Sequence, residues 1–299
     1  MSGTPESESR LDSAGVRTAF DRASTTYEAA AVLQARVGDE LLERLDFFKF
    51  EPDIVADLGA GTGRLTGELK RLYKRATVIA LDTAPGMLRE ARKHFGLFRR
   101  FERVCADARR LPFATASVDV VVSNLMLQWC DDLDVAFAEI RRVLKPDGFF
   151  SFTTFGPDTL KELRTAWAAV DDYTHVNTFI DMHDIGDALG RMGLTEPVLD
   201  VERVTLTYPD VLSLMRDLKT IGAHNVTAGR ARGLTGRARL RQMEAAYEVK
   251  RRDDLIPATY EVVYGAAWGS AGKRAASVVD GEVHISPRAI RRRGEGPRP

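Results

Sequence analysis

The sequence predicts an α/β fold built on a mostly parallel sheet, and three observations predict it. The run Asp53-Ile54-Val55-Ala56-Asp57-Leu58 is a short apolar strand that turns at once through Gly59, Ala60, Gly61 and Gly63. The segment after it, Arg64 to Leu72, has apolar residues at helical spacing, so strand, glycine turn and helix make half of a nucleotide-binding unit. Second, three more strand-like runs each end in a polar residue: Ala76 to Leu81 before Asp82, the run closing at Cys105-Ala106-Asp107-Ala108, and Val118 to Ser123 before Asn124. Third, Leu144-Lys145-Pro146-Asp147-Gly148 reads as a turn leading into a fifth strand at Phe149 and Phe150.

Each part of the glycine turn has a physical reason. A residue without a Cβ takes positive φ readily and lets a ligand approach the backbone. The spacing Asp-x-Gly-x-Gly-x-Gly departs from the G-x-G-x-x-G dinucleotide fingerprint. Asp57 would repel a pyrophosphate but suits a cationic ligand or a ribose. About 20 residues after such a turn an acid is expected for ribose hydroxyls, and Asp82 stands at that place, followed by Thr83.

Composition bounds the rest. With 299 residues, 44% hydrophobic and 29% charged, the chain has the make-up of a soluble globular protein, with no apolar run long enough for a membrane helix. Residues 1 to 10 are polar and lack a signal-peptide core, so a cytoplasmic location is expected. Cys105 and Cys130 lack metal-ligand spacing and read as structural thiols in apolar surroundings, and the five histidines form no zinc pattern, so no metal is expected. The net charge of zero hides an asymmetry: from residue 200 onward 18 Lys or Arg face 12 Asp or Glu. The C-terminal third is the basic one.

In chain order, residues 1–13 are expected to be disordered. Residues 14–50 read as two helices, with Val16, Ala19 and Phe20 on one face of the first; placed before the first strand, they can fold over a bound ligand as a lid, with Arg22 and Tyr27 as polar-tipped contacts. Residues 51–270 form the main domain. Within it Pro85 opens a helix carrying Met87, and Asn124-Leu125 leads to Gln128 and Trp129, which are candidates to face or underlie the ligand. Asp158 or Thr159 is expected to cap the next helix. A helical insert at about 209–254 carries Arg230, Arg232, Arg237, Arg239 and Arg241, which suit an acidic partner. The tail, 271–299, is rich in Arg, Gly and Pro and is expected to be disordered; its Arg291-Arg292-Arg293 run is too weak a signal for nucleic-acid binding.

The four strand ends at Asp57, Asp82, Asp107 and Asn124 resemble the class I S-adenosylmethionine-dependent methyltransferases. That resemblance implies a Rossmann-like, mostly parallel seven-stranded sheet. It also implies roles: the glycine motif wraps the methionine part of S-adenosylmethionine, Asp82 takes the ribose, and Asp107 with Ala108 faces the adenine, near Met87. Later segments narrow the likeness. Phe20-Asp21-Arg22-Ala23, Leu125 to Trp129, Phe155-Gly156-Pro157-Asp158-Thr159, Leu218 to Asn225 and Pro257 to Trp268 together resemble the malonyl-acyl-carrier-protein O-methyltransferases of biotin synthesis, the BioC type. The resemblance runs from about Val16 to Trp268. The implied partner is acyl carrier protein carrying malonyl, with malonyl-coenzyme A as a second acceptor to consider. A mitochondrial complex I assembly factor, described as an arginine hydroxylase, shares the Phe-Gly-x-Asp-Thr and Pro-Ala-Thr-Tyr patterns, so a hydroxylase of that kind, like another small-molecule methyltransferase, is an alternative.

A malonyl carboxylate is already ionised at neutral pH, so no general base is expected. What selectivity for malonyl requires is a cation near one carboxylate oxygen, best an arginine. Arg164, Arg191, Arg203 and Arg216 are the candidates, and the sequence does not choose among them.

Overall fold

Seven strands make the central sheet: β1 (Ile54–Leu58), β2 (Thr77–Asp82), β3 (Glu102–Cys105), β4 (Val118–Asn124), β5 (Leu144–Phe155), β6 (Thr195–Tyr208) and β7 (Ile256–Trp268). They lie in the order β3-β2-β1-β4-β5-β7-β6, and β7 runs antiparallel to both its neighbours while the other pairs are parallel. The computed structural model describes residues 11–96, 99–223, 236–269, 276–279 and 282–285. β1 and β4 are buried along nearly their whole length, which is why Val55, Ala56, Val120, Val121 and Val122 need no polar alternation: both faces of a parallel sheet are covered by helices.

The covering helices follow from their apolar stripes. On one face α3 (Val32–Asp46) and α4 (Arg64–Leu72) bring Leu41, Leu45, Leu65 and Leu69 against Val55, Val78 and Val120. On the other, α6 (Leu133–Val143) sets Phe137, Ile140 and Val143 against Val121 and Phe150, beside Ile185 and Leu189 of α8 (Met182–Arg191). Asp132 and Asp181 cap these two helices by accepting the backbone N–H of Val135 and of His183. A third apolar cluster joins α7 (Lys161–Ala168) to β6, β7, α9 (Val211–Thr220) and α10 (Arg237–Glu248), with Trp167, Leu214, Met243 and Tyr247 at its centre.

α9 and α10 stand between β6 and β7, where the sequence places a helical insert. Arg237, Arg239 and Arg241 lie on α10; Arg230 and Arg232 lie outside the described residues, as do residues 1–10 and the Arg291 run. Within the expected tail, Ala276–Val279 and Glu282–Ile285 pair as two antiparallel strands. No helix among the described residues is long and apolar enough to cross a membrane.

Several local expectations are corrected. The N-terminal region forms three helical segments, α1 (Ser13–Ala23), α2 (Tyr27–Ala30) and α3. α4, by contrast, starts at Arg64 where the apolar spacing begins, after a left-handed Gly63 (φ 78°). α7 has neither Asp158 nor Thr159 as its cap; Leu160 precedes it in the left-handed region (φ 55°). The reason is that the turn is bolted to β7 instead. Asp158 donates its backbone N–H to Glu261 Oε2 (2.8 Å), the Thr159 hydroxyl donates to the Glu261 carbonyl (3.1 Å), and Leu160 N–H donates to the Thr259 carbonyl (2.6 Å). Gly156 has to be small there, since a Cβ would sit 2.6 Å from Glu261 Oε2.

Candidate active site

The carboxyl ends of β1, β2, β3 and β4 open into a cleft of about 490 Å3 that α1 closes from above. Its walls include Tyr27, Gly59, Gly61, Asp82, Thr83, Met87, Asp107, Ala108, Asn124 and Leu125, which the sequence nominates. A smaller lobe of about 330 Å3 adjoins it, sharing Tyr27, Gly59, Gly61 and Asn124 and adding Asp57 and Ala60. Two nominated residues lie elsewhere. Gly63 lines neither lobe; a Cβ on it would stand 2.7 Å from that of Ala91, so its role is to let α4 approach the next helical segment. Arg22 points into a different chamber, on the other side of α1.

The three glycines therefore do three different things. Gly59 (φ 71°) runs under Met126, whose Cγ would be 2.2 Å from a Cβ. Gly61 (φ 54°) has nothing among the described residues within 4 Å of that position, so its bare backbone faces open space, as the wall of a ligand cradle should. The Gly61 N–H donates to Asp82 Oδ2 (2.9 Å), and Asp82 Oδ1 accepts from Ala84 N–H (2.8 Å), so the acid after β2 holds the turn after β1 in place.

The carboxylates differ by environment. Burial pushes Asp57 up to about 7; the negative charge of Asp82 adds to this and the Thr66 hydroxyl, donating at 2.6 Å, opposes it. Asp82 is raised as well, mainly by burial, against the pull of its backbone donors. Asp107 is lowered, because Arg109 donates to both its oxygens (2.7 Å from Nη2). The Tyr27 hydroxyl is raised above its ordinary range by burial first and by Asp82 second. The Cys130 thiol, in the cleft wall, is pushed up to about 12 by burial, so it stays protonated and is no nucleophile. Cys105, expected in apolar surroundings, is exposed at the cleft edge.

Asn124 is a brace. Its Nδ2 donates to the Gln34 carbonyl of α3 (2.9 Å) while its Oδ1 accepts from the Thr153 hydroxyl (2.7 Å), so β4, β5 and the N-terminal helices meet at one amide. Gln128 turns away from the cleft to donate to the Leu125 carbonyl and accept from Thr154. Trp129 does reach the cleft and meets Phe20 edge-on, centroids 5.2 Å apart.

None of the four arginines proposed for a substrate carboxylate lines the cleft or the chamber beyond α1. Arg164 donates to the Pro157 and Thr159 carbonyls, Arg191 pairs with Asp134 on the far face, Arg203 pairs with Asp158 and Glu261, and Arg216 donates to Ser213. Arg191 and Arg203 find partners 45 to 58 residues away, beyond the reach of local sequence reading, whereas Arg164 and Arg216 are engaged within their own turns. The cleft also uses residues that sequence reasoning missed, above all Ser13 and Arg17. Together with Val16 and Phe20 they form one row of α1 at helical spacing, and that phase was the available signal.

Comparison with known proteins extends this picture. Residues 56–152 match the model of a methyltransferase domain. A putative methyltransferase from Bacillus halodurans, 15% identical, superposes with a TM-score of 0.56, covering 78% of this chain and 99% of that one, which shows the fold. Two curated relatives are much nearer in sequence. The malonyl-[acyl-carrier protein] O-methyltransferase of Methylovorus sp. (strain MP688) is 52% identical over 93% of this chain and 96% of its own length. That of Laribacter hongkongensis (strain HLHK9) is also 52% identical, over 93% and 97%. With this glycine cradle, these strand-end acids and identity of that order along almost its whole length, the chain belongs to the malonyl-[acyl-carrier protein] O-methyltransferase family.

Proposed function

We propose that the chain transfers a methyl group to the free carboxylate of a malonyl thioester held on acyl carrier protein, an early step of biotin synthesis in the cytoplasm. The observation that carries this reading is the near-full-length kinship with enzymes so named. The cleft supports the donor half of it. Gly61 offers open backbone, Asp82 and Asp107 line the cleft with acceptors suited to ribose and adenine, and Asp57 suits a cationic ligand. When bound, S-adenosylmethionine supplies a methyl on a sulfonium, and transfer breaks that C–S bond, forms an O–CH3 bond and leaves a neutral thioether with no proton to remove.

The chain's own residues are then left with positioning and shielding. Asp82 would hold the ribose, Asp107 and Met87 the adenine, and Gly59, Gly61, Tyr27 and Asp57 the methionine part. Arg109 has to share Asp107 with that ligand, since it now occupies both oxygens. α1, fastened over the cleft and backed by the Phe20–Trp129 contact, keeps water from the reacting groups, which strengthens the attraction between a sulfonium and a carboxylate as they approach. No side chain is asked to act as a base. The exposed arginines of α10 supply a basic surface for an acidic carrier protein.

The test is direct. Purified protein incubated with malonyl-carrier protein and S-adenosylmethionine should give a carrier species heavier by one CH2, and the gene should restore growth without biotin to a strain lacking this step. Gly61→Arg, which fills the cradle, should do neither. A folded wild-type protein that binds the donor yet methylates neither malonyl-carrier protein nor malonyl-coenzyme A would overturn the reading.

A further inference from the structure

α1 has a second row of residues, and behind it lies a chamber of about 1100 Å3, larger than the donor cleft. Gly15, Thr18, Ala19 and Arg22 face this chamber, whereas Ser13, Val16, Arg17 and Phe20 face the cleft, so one helix partitions the two spaces. Ala14 and Trp129 line both. The inner walls are apolar and aromatic, with Phe155, Trp167 and Phe179 among them.

Polar groups are few and are arranged by depth. Asn177 is buried in the wall, 7% exposed, and its Oδ1 has no hydrogen-bond partner among the described residues. A buried acceptor in that condition calls for a donor from outside the protein, a water or a ligand group. Arg22 and Lys219 also line the chamber, but both are exposed, and among the described residues their side chains make no ion pair or hydrogen bond. They stand on two elements held together at this point: the Thr26 hydroxyl donates to the Thr220 carbonyl, and Gly222 closes on α1 so tightly that a Cβ would meet the Ala19 carbonyl at 3.3 Å. Along α1, Arg22 is eight residues from Ala14, on the order of 12 Å at 1.5 Å per residue.

The chamber thus combines two exposed cations that are unpaired among the described residues, a buried amide oxygen in a wall with aromatic rings, and two residues shared with the donor cleft. We propose that it receives the flexible arm of the acceptor. The arm's phosphate lies at Arg22 and Lys219, an amide N–H donates to Asn177 Oδ1, and the thioester end reaches the cleft past Ala14 and Trp129. This rests on reading the acceptor as a malonyl thioester, and names the arm, of the phosphopantetheine class, that the chain recognises. Carrier protein and coenzyme A share that chemistry.

The experiment measures kcat and KM separately for four malonyl thioesters: carrier protein, coenzyme A, N-acetylcysteamine (amide, no phosphate) and ethanethiol (neither). Arg22→Gln combined with Lys219→Gln should raise KM at least tenfold for the first two and less than twofold for the last two. Asn177→Leu should raise KM several-fold for the three amide-bearing acceptors and leave that for the ethanethiol ester in place. Donor affinity by calorimetry should hold within twofold in both variants. Equal KM changes for all four acceptors, or none, would overturn the arm assignment while wild-type turnover leaves the acceptor class standing. Should Asn177→Leu fail to fold, the surface pair alone decides. A wild-type protein that binds donor but methylates none of the four would remove the acceptor reading, and this inference with it.

Discussion

The carboxylate of Asp21, near the end of α1, accepts the backbone N–H of Gly86 in α5 (Pro85–Glu90), the helix that follows β2. A Cβ at residue 86 would lie 2.7 Å from Asp21 Oδ1, so the contact needs both residues as they are. The other end of α1 is tied too, since Leu11 N–H donates to Asp131 Oδ1 (2.6 Å). The helix that covers the donor cleft is therefore held at both ends by carboxylates. Asp21→Ala removes one tie and leaves an amide donor unpaired, which costs about 1–3 kcal/mol. Donor affinity measured by calorimetry is expected to fall several-fold, with a smaller loss of melting temperature; an unchanged affinity would mean that the tie does not hold the cover.

The glycine turn offers a comparison inside one motif. Gly63→Ala places a methyl 2.7 Å from Ala91 and demands a left-handed alanine, so it is expected to destabilise the fold by about 2–4 kcal/mol, combining overpacking and backbone strain. Gly61→Ala meets nothing among the described residues and carries only the backbone strain, about 1–2 kcal/mol. Urea unfolding should rank Gly63→Ala as the less stable variant, while calorimetry should find the greater loss of donor affinity per unit of lost stability in Gly61→Ala.

Asp57 makes the protein sensitive to pH near neutrality. Its pKa is pushed up to about 7 in the folded chain, whereas unfolded Asp ionises at about 4. Between those values the folded state keeps a proton that the unfolded state has lost, so this group makes stability fall as pH rises from about 4 to about 7, and contributes no further change above. A cationic ligand favours the ionised carboxylate. Donor affinity is therefore expected to rise with pH up to about 7 and then level off, with proton release detectable by calorimetry in buffers of different ionisation enthalpy. Asp57→Asn should flatten the profile; an equally steep profile in that variant would assign the dependence to another group.

Glu261 holds together the two segments that most narrow the family resemblance. Its side chain accepts from Asp158 N–H and faces Arg203, while its backbone exchanges hydrogen bonds with Thr159. Glu261→Ala leaves the Asp158 N–H without its acceptor and opens a cavity, and is expected to cost about 2–4 kcal/mol in urea unfolding. Glu261→Gln keeps one acceptor and should recover roughly half of that.

The parts of this molecule that rest on short-range pattern were legible in the sequence. Apolar runs ending at Asp57, Asp82, Asp107 and Asn124 announced the parallel strands, and the apolar spacing of Arg64 to Leu72 announced α4. What escaped was set by distant partners. Asp158 and Thr159 have good capping chemistry, yet Glu261, about a hundred residues on, claims the turn they sit in. Arg22 and Arg17 differ by five positions on one helix and face different spaces, a distinction that depends on where α1 lies over the sheet. Local spacing gives a helix its rows; only packing decides what each row meets.

The two-sided character of α1 bears on how such enzymes diversify. On the proposed reading, substitutions at Gly15, Thr18, Ala19 or Arg22 retune which acceptors are taken while Val16, Arg17 and Phe20 go on serving the same methyl donor. A lineage could thus drift toward new substrates through a handful of codons in one short stretch, with the ancestral donor chemistry inherited intact.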